Sequence, residues 1–284
     1  MNPVLLGSLA ALSWGALDFL AGRTSSVIGA ACTTAGVTIA GLVVLTLWLA
    51  SAASFPDLMR SDIWIPLAAG AGFALATLWL FAAISSGPVS LAVPIVMSYP
   101  ATSLILGAIA GRPPSSWQIA FAALVLGGVV AVAKTGEEQN GRGGNIKRAI
   151  GFALLSHFTF AIGNFIGQYA ATIHGAIPAT WISRVGGCAA IIPVLLISTP
   201  DPGKFPVTRL PLLALMGGLD VLALSMLNLA GHTPQPELAI VTASAAGVFA
   251  IILVRLIFSE HIAPLRWFGI ILTFAGVAGL SATG

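Results

Sequence analysis

Ten stretches of this chain are each long and apolar enough to cross a membrane as a helix, and little sequence remains between them. A helix rising 1.5 Å per residue needs about 20 apolar residues to cover the hydrocarbon core. The stretches are 3–21, 31–51, 64–85, 88–110, 117–134, 149–172, 178–198, 210–230, 237–258 and 263–283. A β-barrel is a poor fit, because the runs are about twice the length of a barrel strand and do not alternate. Composition agrees: 7% of residues are charged and mean hydropathy is +1.00, against about 25% charged in a soluble domain. The solvent of this fold is therefore mostly lipid. With 12 basic residues and a net charge of +3 there is no nucleic-acid footprint. Cys32 and Cys188 lie in apolar stretches and form no disulfide framework or metal spacing. The chain starts apolar without a basic region, so the first segment reads as a retained helix.

The longest connector, residues 135–148 (TGEEQNGRGGNIKR), is polar, rich in glycine and falls near the midpoint. That position suggests a repeat. Shifted by 147 residues, GFALATLWLFAAISSGPVSLAV (72–93) lies over LDVLALSMLNLAGHTPQPELAI (219–240) without a gap. The closing helices align at 148, with Gly128 on Gly276 and Val129 on Val277. SWGALDF (13–19) overlays TFAIGNF (159–165), which puts Trp14 on Phe160 and Asp18 on Asn164. Five spans per half is an odd number, so the second half is inverted relative to the first. The expected fold is an all-α membrane protein of two inverted five-helix repeats, 1–134 and 149–284, joined by the linker 135–148. Inverted repeats are a transporter architecture with the solute site near the midplane.

Here the sequence resembles the drug/metabolite transporter superfamily, EamA type. The resemblance is carried by AAISSGPVSLAVPIVMSYP (82–100), by Phe258-Ser259-Glu260-His261 and by GIILTFAGVAGL (269–280). It departs from the family at one point: a Glu often precedes the fifth helix of each half, and where Glu260 fits, the first half has Arg112. The resemblance implies a secondary transporter, commonly an exporter of amino acids or other metabolites, closest in layout to the aromatic amino-acid exporters. It also implies a multi-pass protein of the inner (plasma) membrane.

Ionisable residues at mid-bilayer are costly and mark function by default. Of nine acids only Asp18 and Asp220 lie inside spans, so both are candidates for ion coupling. The plainer alternatives are a local pair of Asp18 with Arg23, and burial of Asp220 against a neighbouring helix. Glu237 begins a helix, where a carboxylate suits the dipole. Arg184 and Arg255 read as snorkelling to the headgroups, with binding of a substrate carboxylate as the alternative for Arg184.

The sixth span has the clearest polar stripe: His157, Phe160, Asn164 and Gln168 share one face. That face suits either a cavity for an amino-acid-sized solute or hydrogen bonding to a neighbouring helix. Asp220, Leu224 and Asn228 share a face of the eighth span, with Ser225 beside them. In the fourth span Pro94, Ser98, Tyr99 and Pro100 interrupt the apolar run and favour a kink with freed carbonyls. Thr242 and Ser244 occupy the matching part of the ninth span, without proline. Trp14 and Trp79 lie within spans, where an interfacial belt does not explain them. The substrate-contact candidates are Trp14, Trp79, Ser98, Tyr99, Phe160, Asn164, Gln168, Asn228 and Ser244. The fifth and tenth spans carry small residues every fourth position, Ala123/Gly127/Ala131 and Ala275/Gly279/Thr283, and read as scaffold between halves or between protomers.

The histidines at 157, 174, 232 and 261 have no metal spacing, and no nucleophile or paired-acid motif appears. The expectation is a transporter that is not an enzyme and needs no cofactor or metal. Its partners are a small-molecule substrate and the bilayer, and it is a monomer or weak homodimer. The competing classes are an exporter of drugs or nucleotide precursors, a passive channel and, distantly, a membrane enzyme. Orientation is contested: eight basic residues flank the odd-numbered connectors and two the even-numbered ones, which puts the termini outside by the positive-inside rule, whereas the resemblance implies termini in the cytoplasm.

Overall fold

The computed structural model describes residues 1–52, 54–86, 95–96, 98–134, 145–198, 207–258 and 264–283. They form α1 (Pro3–Ile28), α2 (Ala30–Ser51), α3 (Trp64–Ser86), α4 (Tyr99–Ile109), α5 (Ser116–Lys134), α6 (Ile146–His174), α7 (Ala176–Ser198), α8 (Leu210–Ala230), α9 (Glu237–Ala243), α10 (Ala246–Phe258) and α11 (Pro264–Thr283), with a 3-10 turn at Val207–Arg209. There is no strand among the described residues. Five of these helices, α1, α2, α6, α7 and α8, are individually long and apolar enough to cross a membrane. The expected spans are all present as helix. The ninth is split into α9 and α10, and the fourth is described from Ile95 onward. Pro94, Ser259, Glu260, His261 and residues 135–144 of the linker lie outside the described residues, as do the side chains of Arg23, Arg255 and Phe258.

The helices are apolar around most of their circumference, so packing and backbone geometry decide their ends. Between α1 and α2 stands a single residue, Gly29, at φ 81° and ψ 157°. Between α6 and α7 stands Gly175 at φ 83° and ψ 152°. Only glycine adopts that region readily. The two glycines occupy the same place in the two halves, as the repeat requires. Asn145 caps α6 by accepting from the Arg148 backbone N–H at 3.1 Å, which starts that helix three residues before the expected edge.

Contacts follow the pseudo-symmetry. α3 lies on α6 as α8 lies on α1, and α3 lies on α7 as α8 lies on α2. Glycines permit the close approaches: a Cβ on Gly70 would collide with the Ser183 backbone, and one on Gly217 with Gly41 and Ala40. α5 and α11 pack on each other, so the scaffold pair joins the two halves. The expected stripe makes only part of that contact, through Gly279 against Phe121. Ala123, Gly127 and Ala275 face outward, while Gly128 and Gly276 are buried at the crossing. In so uniformly small a helix, 3.6-residue spacing fits two adjacent stripes equally well.

Candidate functional site

The polar residues of the spans converge where α1, α7 and α8 meet. Asp220 sits near the middle of α8, and each of its oxygens is held. Arg184 Nη1 of α7 lies 2.7 Å from Oδ2, and the Trp14 indole N–H of α1 donates to Oδ1 at 3.0 Å. Arg184 is 8% exposed. The expectation that it snorkels is thereby corrected. It lies more than two turns inside α7, and an opposite charge on the adjoining helix is a nearer partner than the headgroups. Its Nε is buried without an acceptor.

Asp18 follows Trp14 by four residues on the same face of α1. It lies within electrostatic reach of Asp220 and of Tyr99 on α4. It is exposed, and no hydrogen bond or ion pair holds it among the described residues. An ionisable group inside a membrane span marks a candidate solute or ion path. Among the described residues the cluster holds two carboxylates and one guanidinium, and the guanidinium is bound to Asp220.

The α6 stripe divides. His157 turns to the start of α4: Nε2 is 2.7 Å from Thr102 Oγ1, and Nδ1 is 2.9 Å from the Ile95 carbonyl and 3.2 Å from Ser98 Oγ. Phe160 joins an aromatic cluster with Tyr99 at 5.6 Å and Phe73 at 6.2 Å between centroids. Asn164 donates to the Phe160 carbonyl at 2.8 Å, and its Oδ1 is buried without a partner. Gln168 donates to the carbonyls of Pro236, at 2.9 Å, and Leu227, at 3.3 Å, holding the α8–α9 turn. Asn228 donates to Thr180 Oγ1 at 2.9 Å, tying α8 to α7. Trp79 is half-buried on α3. Ser244 is buried and donates to the Val241 carbonyl at 2.6 Å. Trp14, Asp18 and Asp220 are thus brought together with Arg184, which sequence reasoning placed at the membrane surface. The signal was available: Arg184 and Asp220 are opposite charges inside consecutive spans.

The face that carries both termini is sealed. Arg112, just past α4, binds Glu237 at the start of α9 through Nη2 at 2.6 Å and Nε at 3.1 Å to the same oxygen. Glu237 is 3% exposed, and Gly107 leaves room for it. Gln118 of α5 donates to Gln235 at 2.6 Å and to the Thr283 carbonyl at 3.2 Å, and Gln235 donates back to Gln118 at 3.2 Å. Gly7 of α1 lets α9 approach until a Cβ would collide with Thr242 and the Ala239 backbone. Beside this seal lies a cavity of about 370 Å³, lined by Arg112, Phe165, Gln168, Tyr169 and Pro236 among others. On the same face Arg60 hydrogen-bonds Asp62 at 2.9 and 3.0 Å, which holds that carboxyl below the ordinary carboxylate range. Among the described residues no group of His, Cys, Asp and Glu is placed to hold a metal ion.

The model of the EamA-like transporter family matches the chain twice, over residues 1–134 and 147–282. A solved structure described only as a crystal structure of a protein has the same fold: TM-score 0.79 at 14% identity, over 99% of this chain and 98% of that one. No curated protein matches the chain.

Proposed function

The chain belongs to the EamA-like transporter family and is a multi-pass membrane transporter; from that premise we propose that it is a secondary transporter exporting small amino-bearing metabolites, amino acids first among them. The observation that carries this reading is the Asp18 carboxylate, exposed and without a partner among the described residues, near an Asp220 that is ion-paired to Arg184 and hydrogen-bonded by Trp14. A lone carboxylate in a low-dielectric cleft needs a cation. A proton and a substrate ammonium are alternative occupants, so loading one releases the other. Asp18 is then the coupling group, and Asp220 a fixed part of the wall. The same charge count disfavours anionic solutes such as nucleotides and keeps cationic drugs as the second reading.

The halves 1–134 and 149–284 rock about the cleft by alternating access. Trp79, Tyr99, Phe160, Asn164 and Asn228 are the nearest set of solute contacts to test. The setting is the inner (plasma) membrane with both termini in the cytoplasm, in a protein that works as a monomer or weak homodimer.

Reconstitution in liposomes tests the reading. The wild type is expected to accumulate amino acids or amines down a pH gradient, with saturable counterflow. Asp18→Asn is expected to lose gradient-driven accumulation and keep exchange. Accumulation by Asp18→Asn equal to wild type removes the coupling role, and lack of saturable counterflow for every amine and amino acid removes the carrier reading.

A further inference from the structure

On the termini face charged and polar side chains tie the end of α4 in the first half to the start of α9 in the second. The Arg112–Glu237 pair runs from the end of α4 to the start of α9, and the reciprocal Gln118–Gln235 pair lies beside it. Glu237 is buried, so it is stable there only while Arg112 stays bonded. Arg112 is different. Its side chain is 33% exposed, it lines the 370 Å³ cavity, and its guanidinium already stands 5.9 Å from the Phe165 ring centroid. On the far side of that cavity Phe165 and Tyr169 present aromatic faces, which attract a guanidinium. Glu237, once released, can be hydrated only if the seal admits water.

We propose that Arg112 and Glu237 form an inter-repeat latch: bonded, they close the termini face of the cleft, and when they part Arg112 moves into the adjoining cavity and the face opens. The two positions of Arg112 make the pair a bistable element and set the balance between the two accesses. This rests on the alternating-access reading, but its test needs no substrate.

The reporter is Thr242→Cys, in a chain whose Cys32 and Cys188 are replaced by alanine. Thr242 is fully buried where α9 meets Gly7. A membrane-impermeant maleimide is added to the termini face of proteoliposomes sorted by orientation. Arg112→Gln is expected to speed labelling about tenfold, the equilibrium equivalent of one charge-assisted hydrogen bond. Arg112→Lys keeps the charge but loses the second hydrogen bond and the Phe165 contact, and is expected to label at a rate between those of the parent and Arg112→Gln. The reversed pair, Arg112→Glu with Glu237→Arg, is expected to return labelling to the parent rate. Unchanged labelling in Arg112→Gln overturns the latch. So does a reversed pair that labels as fast as Arg112→Gln, because the loss would then be one of packing and not of pairing. Failure of transport with an intact labelling pattern would strike the transporter reading alone.

Discussion

The fourth and ninth spans break at equivalent places, and they are held open by opposite means. α4 starts at Tyr99 and α10 at Ala246, 147 residues apart, each just after a turn. In the first half the break carries Pro100 in the first turn of α4. The carbonyl of Ile95 is taken up by His157, which reaches across from the second half and also binds Ser98 and Thr102. In the second half there is no proline and no polar prop from another helix among the described residues. Leu238, Ile240, Val241, Ala243 and Val248 are at most 1% exposed, and α1 presses on the segment through Gly7. One break is clamped by hydrogen bonds, the other by close packing. A helix interruption at membrane depth therefore does not require a helix breaker. It requires only that the freed groups be satisfied and the space around them filled.

Substitutions that attack one support and spare the other test this contrast. The largest effect is expected at Gly7. Gly7→Leu drives a side chain into Thr242 and the Ala239 backbone and should destabilise the protein by about 3 kcal/mol, read as a lowered unfolding temperature in detergent. A Gly7→Leu protein as stable as wild type would mean that the ninth span is not held by close packing. Next comes His157→Leu. It strands the Ile95 carbonyl and the Thr102 hydroxyl, at a cost of about 2 kcal/mol, whereas His157→Gln should recover part of the loss. At the two glycine corners, Gly29→Ala and Gly175→Ala should each cost about 1 to 2 kcal/mol through backbone strain. No steric clash adds to it, because nothing lies within 4 Å of a Gly29 Cβ and only Pro178, at 3.6 Å or more, approaches that of Gly175. Unequal losses would show that the corners, alike in geometry, are loaded differently. The smallest effects belong to the back-bonded serines. Ser98→Ala and Ser244→Ala should each change stability by about 0.6 kcal/mol or less, with Ser98 the larger because it also touches His157.

The same contrast marks what was legible in the sequence. Run length fixes a span because the bilayer has one thickness, and nine of the ten described helices or helix pairs begin within three residues of the sequence-derived edge for that reason. The break at Pro100 was readable because proline is a local cause. The break at Ser244 and Ala245 was not, because its cause is the shape of α1. The polar face of α6 was readable as a face, but His157 and Gln168 proved to grip neighbouring backbone. Periodicity says which residues look the same way, not what they look at. Arg184 was misread because distance from a helix end was weighed without asking what stood opposite. Gly29 and Gly175 were open to view, 146 residues apart between consecutive spans, and would have sharpened the repeat had positive φ been sought there.

The one-residue corners also bear on how the chain enters a bilayer. A single residue reaches at most about 3.6 Å, so with only Gly29 between α1 and α2, and only Gly175 between α6 and α7, the adjoining ends of each pair are held side by side at one membrane face. A corner this tight favours entry of each pair as a closed hairpin. Staged translation products assayed for membrane integration should gain the two arms of each hairpin in one step.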